Sequence, residues 1–299
     1  MSSTVGAAAA PEAAAVGPRR RRATIHGAGL AYEEYPGVGI PLVLLHGVGS
    51  SARNWQDAAT ALAAGGRTVV SVDLPGHGDS DASGGDFSLG ALASAVRDLL
   101  DHLGLDRVVL VGHSLGGGVA LQFQYQYPTR VGGLVLVSSG GLGRETNLIL
   151  RLAAMPGSGM AIGLALNDRT LSAAHGLRSR ARRMLRRPEL IGDQVMERIE
   201  RLASEHSRAS FLATLRSVVD HRGQRVSALD KLHLAGSVPV LIVWGRRDSI
   251  IPVAHGENAH DLLPQSRLVV FDDSGHEPHR RDPERFADVV REWLADARL

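Results

Sequence analysis

The chain has 299 residues, 44% of them apolar and 21% charged, and it contains no cysteine. That length supports one large core plus an insertion, and the missing cysteines exclude disulfides, thiolate metal sites and a cysteine nucleophile. The formal net charge is +2, but Arg19, Arg20, Arg21 and Arg22 share the first 22 residues with a single acid, Glu12. The remainder is one charge negative, so composition gives no case for nucleic-acid binding.

Residues 1–18 are mostly Ala, Gly, Ser and Pro with little to bury, and residues 1–22 read as a disordered tail ending in a solvated basic run. The arginines follow the alanine-rich stretch, the reverse of the order in a secretory signal, and no run reaches the length of a membrane span. The expectation is a cytoplasmic monomer or homodimer. Order is expected from Ala23, where Ala23–His26 and Leu30–Tyr35 flank Gly27-Ala28-Gly29 as a hairpin.

Pro41–Leu45 reads as a buried strand running into His46-Gly47-Val48-Gly49, and Thr68–Val72 as another running into Asp73-Leu74-Pro75-Gly76-His77-Gly78-Asp79-Ser80. Asn54–Ala64 and Leu89–Leu103 carry helical spacing. Val108–Val111 is a third buried strand, followed by Gly112-His113-Ser114-Leu115-Gly116 and then an apolar helical stretch. Strand, Gly-x-Ser-x-Gly and helix together make a nucleophile elbow, which lifts a serine hydroxyl above the end of a sheet. Glycines two residues to either side allow the close chain approach, and the Leu115 N–H at the helix start points where an oxyanion would form.

After the strand Leu134–Ser138 the alternation stops, and residues 141–229 read as an inserted helical lid. Leu177, Ala181, Met184 and Leu185 share one face; Ile191, Val195, Ile199 and Leu202 another; Phe211, Leu212, Leu215 and Val218 a third. Six arginines between Arg178 and Arg187 read as the solvated side of the first of these. The alternation resumes with Val238–Trp244, ending in Gly245-Arg246-Arg247-Asp248, and Arg267–Phe271, ending in Asp272-Asp273-Ser274-Gly275-His276. The closing helix begins with Asp282 as its N-cap and Pro283. Residues 23–140 and 230–299 therefore form an α/β core with a mainly parallel sheet, whose site lies beyond the carboxyl ends of its strands.

A serine nucleophile needs a base, and the base needs a carboxylate to fix its tautomer. His276 and Asp248 both stand at strand ends, giving the chain order Ser114, Asp248, His276. His279 is the alternative base, expected instead at the surface on the approach to the last helix. The Val48 N–H is expected as the second oxyanion donor beside that of Leu115, with His46 and His77 as structural hydrogen-bonders. Leu152, Met155, Met160 and Ile162, in the first part of the lid, are expected to wall an apolar substrate pocket.

The four motifs, His46–Gly49, Asp73–Ser80, Gly112–Gly117 and Gly245–Asp248 with Gly275-His276, resemble those of the α/β-hydrolase superfamily, in particular its lidded esterase-like members. The resemblance implies an eight-stranded sheet with its second strand antiparallel and no cofactor, and the expected function is a serine hydrolase that cleaves small to medium, largely apolar carboxylic esters through an acyl-enzyme. Haloalkane dehalogenases and epoxide hydrolases of this fold carry Asp where this chain has Ser114. Meta-cleavage-product hydrolases, which break carbon–carbon bonds, usually have Asn before the serine and Trp after the histidine; this chain has His113 and Glu277. Perhydrolases share the triad and are not separated from esterases by these motifs, and a ligand-sensing protein on the same fold is the alternative from another class.

Overall fold

The computed structural model describes residues 17–82, 85–166, 170, 172 and 202–299. The chain opens with β1 (Arg19–Ile25), β2 (Ala28–Tyr35) and β3 (Val38–Leu45), then α1 (Gln56–Ala64), β4 (Arg67–Val72), α2 (Leu89–His102), β5 (Val108–His113), α3 (Leu115–Gln126) and β6 (Val131–Val137). An insertion follows, whose described residues form α4 (Leu148–Ala154), α5 (Ser158–Ala165), α6 (Glu205–Val218) and a small hairpin, β7 (Val219–Asp220) and β8 (Gly223–Gln224). The core closes with β9 (Val240–Gly245), α7 (Ala254–Leu262), β10 (Arg267–Phe271), α8 (Pro278–Arg281) and α9 (Pro283–Asp296).

Eight strands form one sheet in the order β1-β2-β4-β3-β5-β6-β9-β10. β2 alone runs against the others. The central strands are buried on both faces, so their side chains divide by the two-residue period. Val43, Leu45, Leu110, Ile242 and Trp244 join the core under α2 and α3. Leu42, Leu44, Val109, Val111, Leu241 and Val243 join the core under α1 and α9, where Phe286 and Trp293 fill the space. Ser88 caps α2 by accepting from the Ala91 amide, and Asp282 caps α9 by accepting from Arg285.

Two readings of the first residues need correction. The ladder with β2 begins at Arg19, paired with Glu34, four residues before the expected start at Ala23. The arginines sit on an edge strand, where charge is tolerated, and acids on neighbouring segments hold them. Arg20 pairs with Asp79 and lies 3.8 Å from the buried Asp73; Arg21 meets Glu34 at 2.8 Å and Arg22 meets Asp81 at 2.5 Å. The hairpin turn is also tighter than read: His26 and Gly27, both at positive φ, make a two-residue connection between Ile25 and Ala28.

Within the insertion, Leu212 and Leu215 of α6 are buried, as their helical spacing implies. The β7–β8 hairpin interrupts what had read as helix throughout. The face containing Leu177, Ala181, Met184 and Leu185, the residues Ile191, Val195 and Ile199, and the arginines from Arg178 to Arg187 lie outside the described residues.

Candidate active site

Ser114 follows β5 and precedes α3, at φ 53° and ψ −114°. A side chain in this left-handed region is strained, and the surroundings hold it there. The Ser114 amide donates to Val137 O at 3.0 Å, while its carbonyl accepts from Gly140 at 2.8 Å and Gly117 at 3.0 Å. A Cβ on Gly112 would strike the Gly116 carbonyl, and one on Gly116 would strike that of Leu45. The elbow turns only because both positions are glycine.

Asp248 and His276 occupy the loops after β9 and β10. The Asp248 side chain is fully buried; its Oδ1 accepts from the amides of Ile250 at 2.8 Å and Ile251 at 3.0 Å, and its Oδ2 lies 2.8 Å from His276 Nδ1. A carboxylate only accepts, so the proton sits on His276 Nδ1 and Nε2 keeps its lone pair. The two loops are joined further by Arg247 N to Ser274 O at 2.9 Å and Arg246 N to Phe271 O at 3.0 Å.

The loop after β3 is set by His46, which is buried. Its Nε2 accepts from the Leu74 amide at 3.0 Å, so Nδ1 carries the proton and donates to the Gly47 carbonyl at 2.8 Å. The ring thus ties the ends of β3 and β4 together, as a structural residue would. A Cβ on Gly47 would stand 3.2 Å from Ser114 Cβ, which places this loop directly against the elbow. His77 is buried with Nδ1 3.0 Å from Pro75 O, and burial lowers its pKa. Asp73 braces the same region, accepting from the Ala52 amide at 2.6 Å and the Asp79 amide at 2.8 Å.

A cleft at the elbow brings Val48, Ser114 and Leu115 together with Leu150, Leu215 and Val218 of the insertion. Its free volume is about 50 Å³, a few times the ~10–15 Å³ that one water needs. A short chain fits; a bulky ring requires the walls to move. Polar groups are few on this lining, chiefly Ser114, Thr146 and Gln224. Both ends of the Gln224 amide are engaged, Oε1 by the Gly141 amide at 2.7 Å and Nε2 by Glu145 O at 3.2 Å, which clasps β8 to the start of the insertion.

The four expected pocket residues are not on that wall. Leu152 is 54%, Met155 44% and Met160 74% exposed, and Ile162 also lies away from the cleft. On α4 the inward positions are Leu150 and Ala154; Leu152, two residues on, is turned about 200° from Leu150. On α5 the glycines face α6, since a Cβ on Gly159 would meet Leu212 and one on Gly163 would meet Arg208. The actual wall, Leu150 with Leu215 and Val218, had a partial signal in the i, i+3 spacing of α6 and none in α4, where Leu148-Ile149-Leu150 is apolar all round. His279 also differs from expectation: it is fully buried, with Nε2 2.6 Å from Asn54 Oδ1.

The family model of the alpha/beta hydrolase fold matches residues 40–283. The chain belongs to the α/β-hydrolase family. It is 40% identical over 273 residues, 91% of its length and 80% of the relative's, to an uncharacterized protein of Mycobacterium tuberculosis H37Rv. It is 32% identical to a 2-hydroxy-6-oxononadienedioate/2-hydroxy-6-oxononatrienedioate hydrolase of Burkholderia vietnamiensis, covering 85% of this chain and 86% of that one. An esterase structure from Rhodococcus sp. ECU1013 superimposes with a TM-score of 0.69 at 26% identity, over 94% of this chain and all of the other.

Proposed function

We propose that the chain is a cofactor-independent serine hydrolase that cleaves small, apolar carboxylic esters through an acyl-enzyme. Ser114 attacks the ester carbonyl while His276 Nε2 takes its proton and returns it to the leaving alcohol. Asp248 holds the Nδ1–H tautomer and offsets the imidazolium charge as it forms. The N–H groups of Val48 and Leu115 receive the developing oxyanion. A water, deprotonated by the same imidazole, then attacks the acyl-enzyme and releases the acid.

The observation that carries this reading is the Asp248–His276 contact at 2.8 Å on loops beside a strained serine that opens into an apolar cleft. The insertion acts as a lid that walls this cleft with Leu150 of α4 and Leu215 and Val218 of α6. A fluorophosphonate should label Ser114, and Ser114→Ala should lower kcat by at least ~10⁴-fold. Labelling at another serine, or near-normal turnover in Ser114→Ala, would refute the assignment.

The Burkholderia relative favours a second reading, carbon–carbon hydrolysis of a meta-cleavage product. His113 and Glu277, where that chemistry is associated with Asn and Trp, weigh against it, as does the narrow cleft. Parallel assays with p-nitrophenyl butyrate and a 2-hydroxy-6-oxodienoate separate the two.

A further inference from the structure

The residue before the nucleophile has a bond that the proposed mechanism does not use. His113 ends β5 and is buried; its Nε2 lies 2.9 Å from the backbone carbonyl of His276, and the two rings are 4.8 Å apart between centroids. A carbonyl only accepts, so Nε2 carries the proton and Nδ1 is left with a lone pair. That Nδ1 has no hydrogen-bond partner among the described residues. A buried acceptor without a partner is a cost that a phenylalanine or leucine would not carry. Such a cost is kept where the other end of the side chain does something.

The surroundings define what that is. Trp55 meets His113 edge-on at 6.4 Å, and His279 stands 4.7 Å away with the Trp55 ring tilted over it at 4.0 Å. His279 is fixed by Asn54, whose amide also reaches Glu277 at 2.9 Å. Among the described residues, the titratable groups facing His113 are His276, Glu277 and His279, all from the segment after β10; the segment after β3 places Gly47 and the Trp55 indole against it. Burial first, then the two imidazoles, holds the His113 pKa well below the usual histidine range. His113 acts as a neutral, directional donor and adds no positive charge beside His276.

We propose that His113 is a positioning residue, whose Nε2–H holds the His276 carbonyl and so ties the base-bearing loop to the nucleophile elbow. The Asp248 contact fixes the tautomer and tilt of the His276 ring; the His113 bond fixes the backbone from which the ring hangs. This inference rests on Ser114 and His276 acting as nucleophile and base.

Three substitutions at one position test it. In glutamine the amide nitrogen reaches about as far as imidazole Nε2, whereas in asparagine it stops near Nδ1. His113→Phe and His113→Asn should each lower kcat for p-nitrophenyl butyrate by about tenfold or more with KM changed less than about twofold. His113→Gln should recover most of that loss. The downfield proton resonance of the His276 Nδ1–Asp248 bond gives a readout without turnover: it should broaden in the Phe and Asn variants and persist in Gln. Wild-type kcat in His113→Phe, or a Gln variant no better than Asn, overturns the proposal. If wild type neither hydrolyses esters nor labels at Ser114, the functional reading fails, and the proton resonance still decides the positioning. Should the Phe variant not fold, the Gln and Asn pair carries the test.

Discussion

Gly275 presses its carbonyl oxygen against the α-carbon of Gly245 so closely that no Cβ fits between them. Gly245 ends β9 just before the loop that carries Asp248, and Gly275 lies in the loop that carries His276, so the contact limits how far apart the two can stand. Gly245→Ala puts a methyl group against backbone, which cannot turn aside as a flexible side chain does. Overpacking of this kind costs ~1–3 kcal/mol or more, and a shift of about 1 Å in catalytic groups costs ~10²-fold in rate. The variant should melt several degrees lower and lose ester hydrolysis disproportionately to that change. An unchanged melting temperature with full activity would show that the loops are not held by this contact.

Asp248→Asn should keep the fold yet lower kcat by roughly 10³–10⁴-fold. Asn Oδ1 can still accept from Ile250 and Ile251, so the loop survives. Its NH₂ then faces His276 Nδ1 and favours the tautomer with the proton on Nε2, where the lone pair is needed. Steady-state kinetics with circular dichroism check both halves. Full activity would move the acid elsewhere.

Most of this site was legible because parallel strands buried on both faces appear as short apolar runs, and the polar residues ending those runs gather at one edge of the sheet. Ser114, Asp248, His276 and Val48 are candidates picked out that way, and the fold brings Ser114 beside Val48 and Asp248 beside His276. The orientation of Leu152 and Met160 was not legible, since α4, apolar but for Arg151, and α5, without a charged side chain, show no periodic face to assign. Nor was the His113–His276 bond, which joins a side chain to a backbone 163 residues away and depends on the order of strands. The first four residues of β1 were hidden because four consecutive arginines carry no alternation, and only the ladder with β2 makes them a strand.

His77 and His113 give the fold an acid limit with a definite sign. Burial lowers both pKa values below that of an unfolded histidine, ~6.5. Below that pH the unfolded chain binds protons that the native chain refuses, so stability falls as pH falls, by up to ~1.4 kcal/mol per pH unit for each histidine. Their full contribution is present above ~6.5 and is lost as pH drops toward the folded values. Urea melts of wild type and His113→Phe between pH 7.5 and 5 should show a shallower slope in the variant. Equal slopes would mean that His113 titrates alike in both states.

The arginine strand can be tested by truncation. A chain beginning at Ala23 loses the ladder from Arg19 to Arg22 and exposes part of the edge of β2. It should melt below the full chain and aggregate more readily. Arg20→Ala with Arg22→Ala removes only the side chains; solvent screens the Arg22–Asp81 pair, so the double variant should lose clearly less than the truncation. If the double variant loses as much as the truncation, the charges rather than the ladder hold the strand.

The cleft makes a prediction about acyl length that differs from one based on the exposed lid face. Each buried CH₂ contributes about 0.8 kcal/mol, close to fourfold in kcat/KM, until the space is full. With about 50 Å³ free, p-nitrophenyl butyrate should exceed acetate, and the gain should stop within the next few carbons. A charged dicarboxylic half-ester should be poor, because no cation stands among the described residues that line the cleft. Leu150→Ala and Val218→Ala, both half-buried at the wall, should move the optimum to longer chains by opening its end. Leu152→Asp and Met155→Asp, on the outward side, should leave the relative rates of all esters unchanged, whatever they do to solubility. A profile altered by Leu152→Asp and indifferent to Leu150→Ala would mean that α4 turns its other face to the substrate when the ester binds.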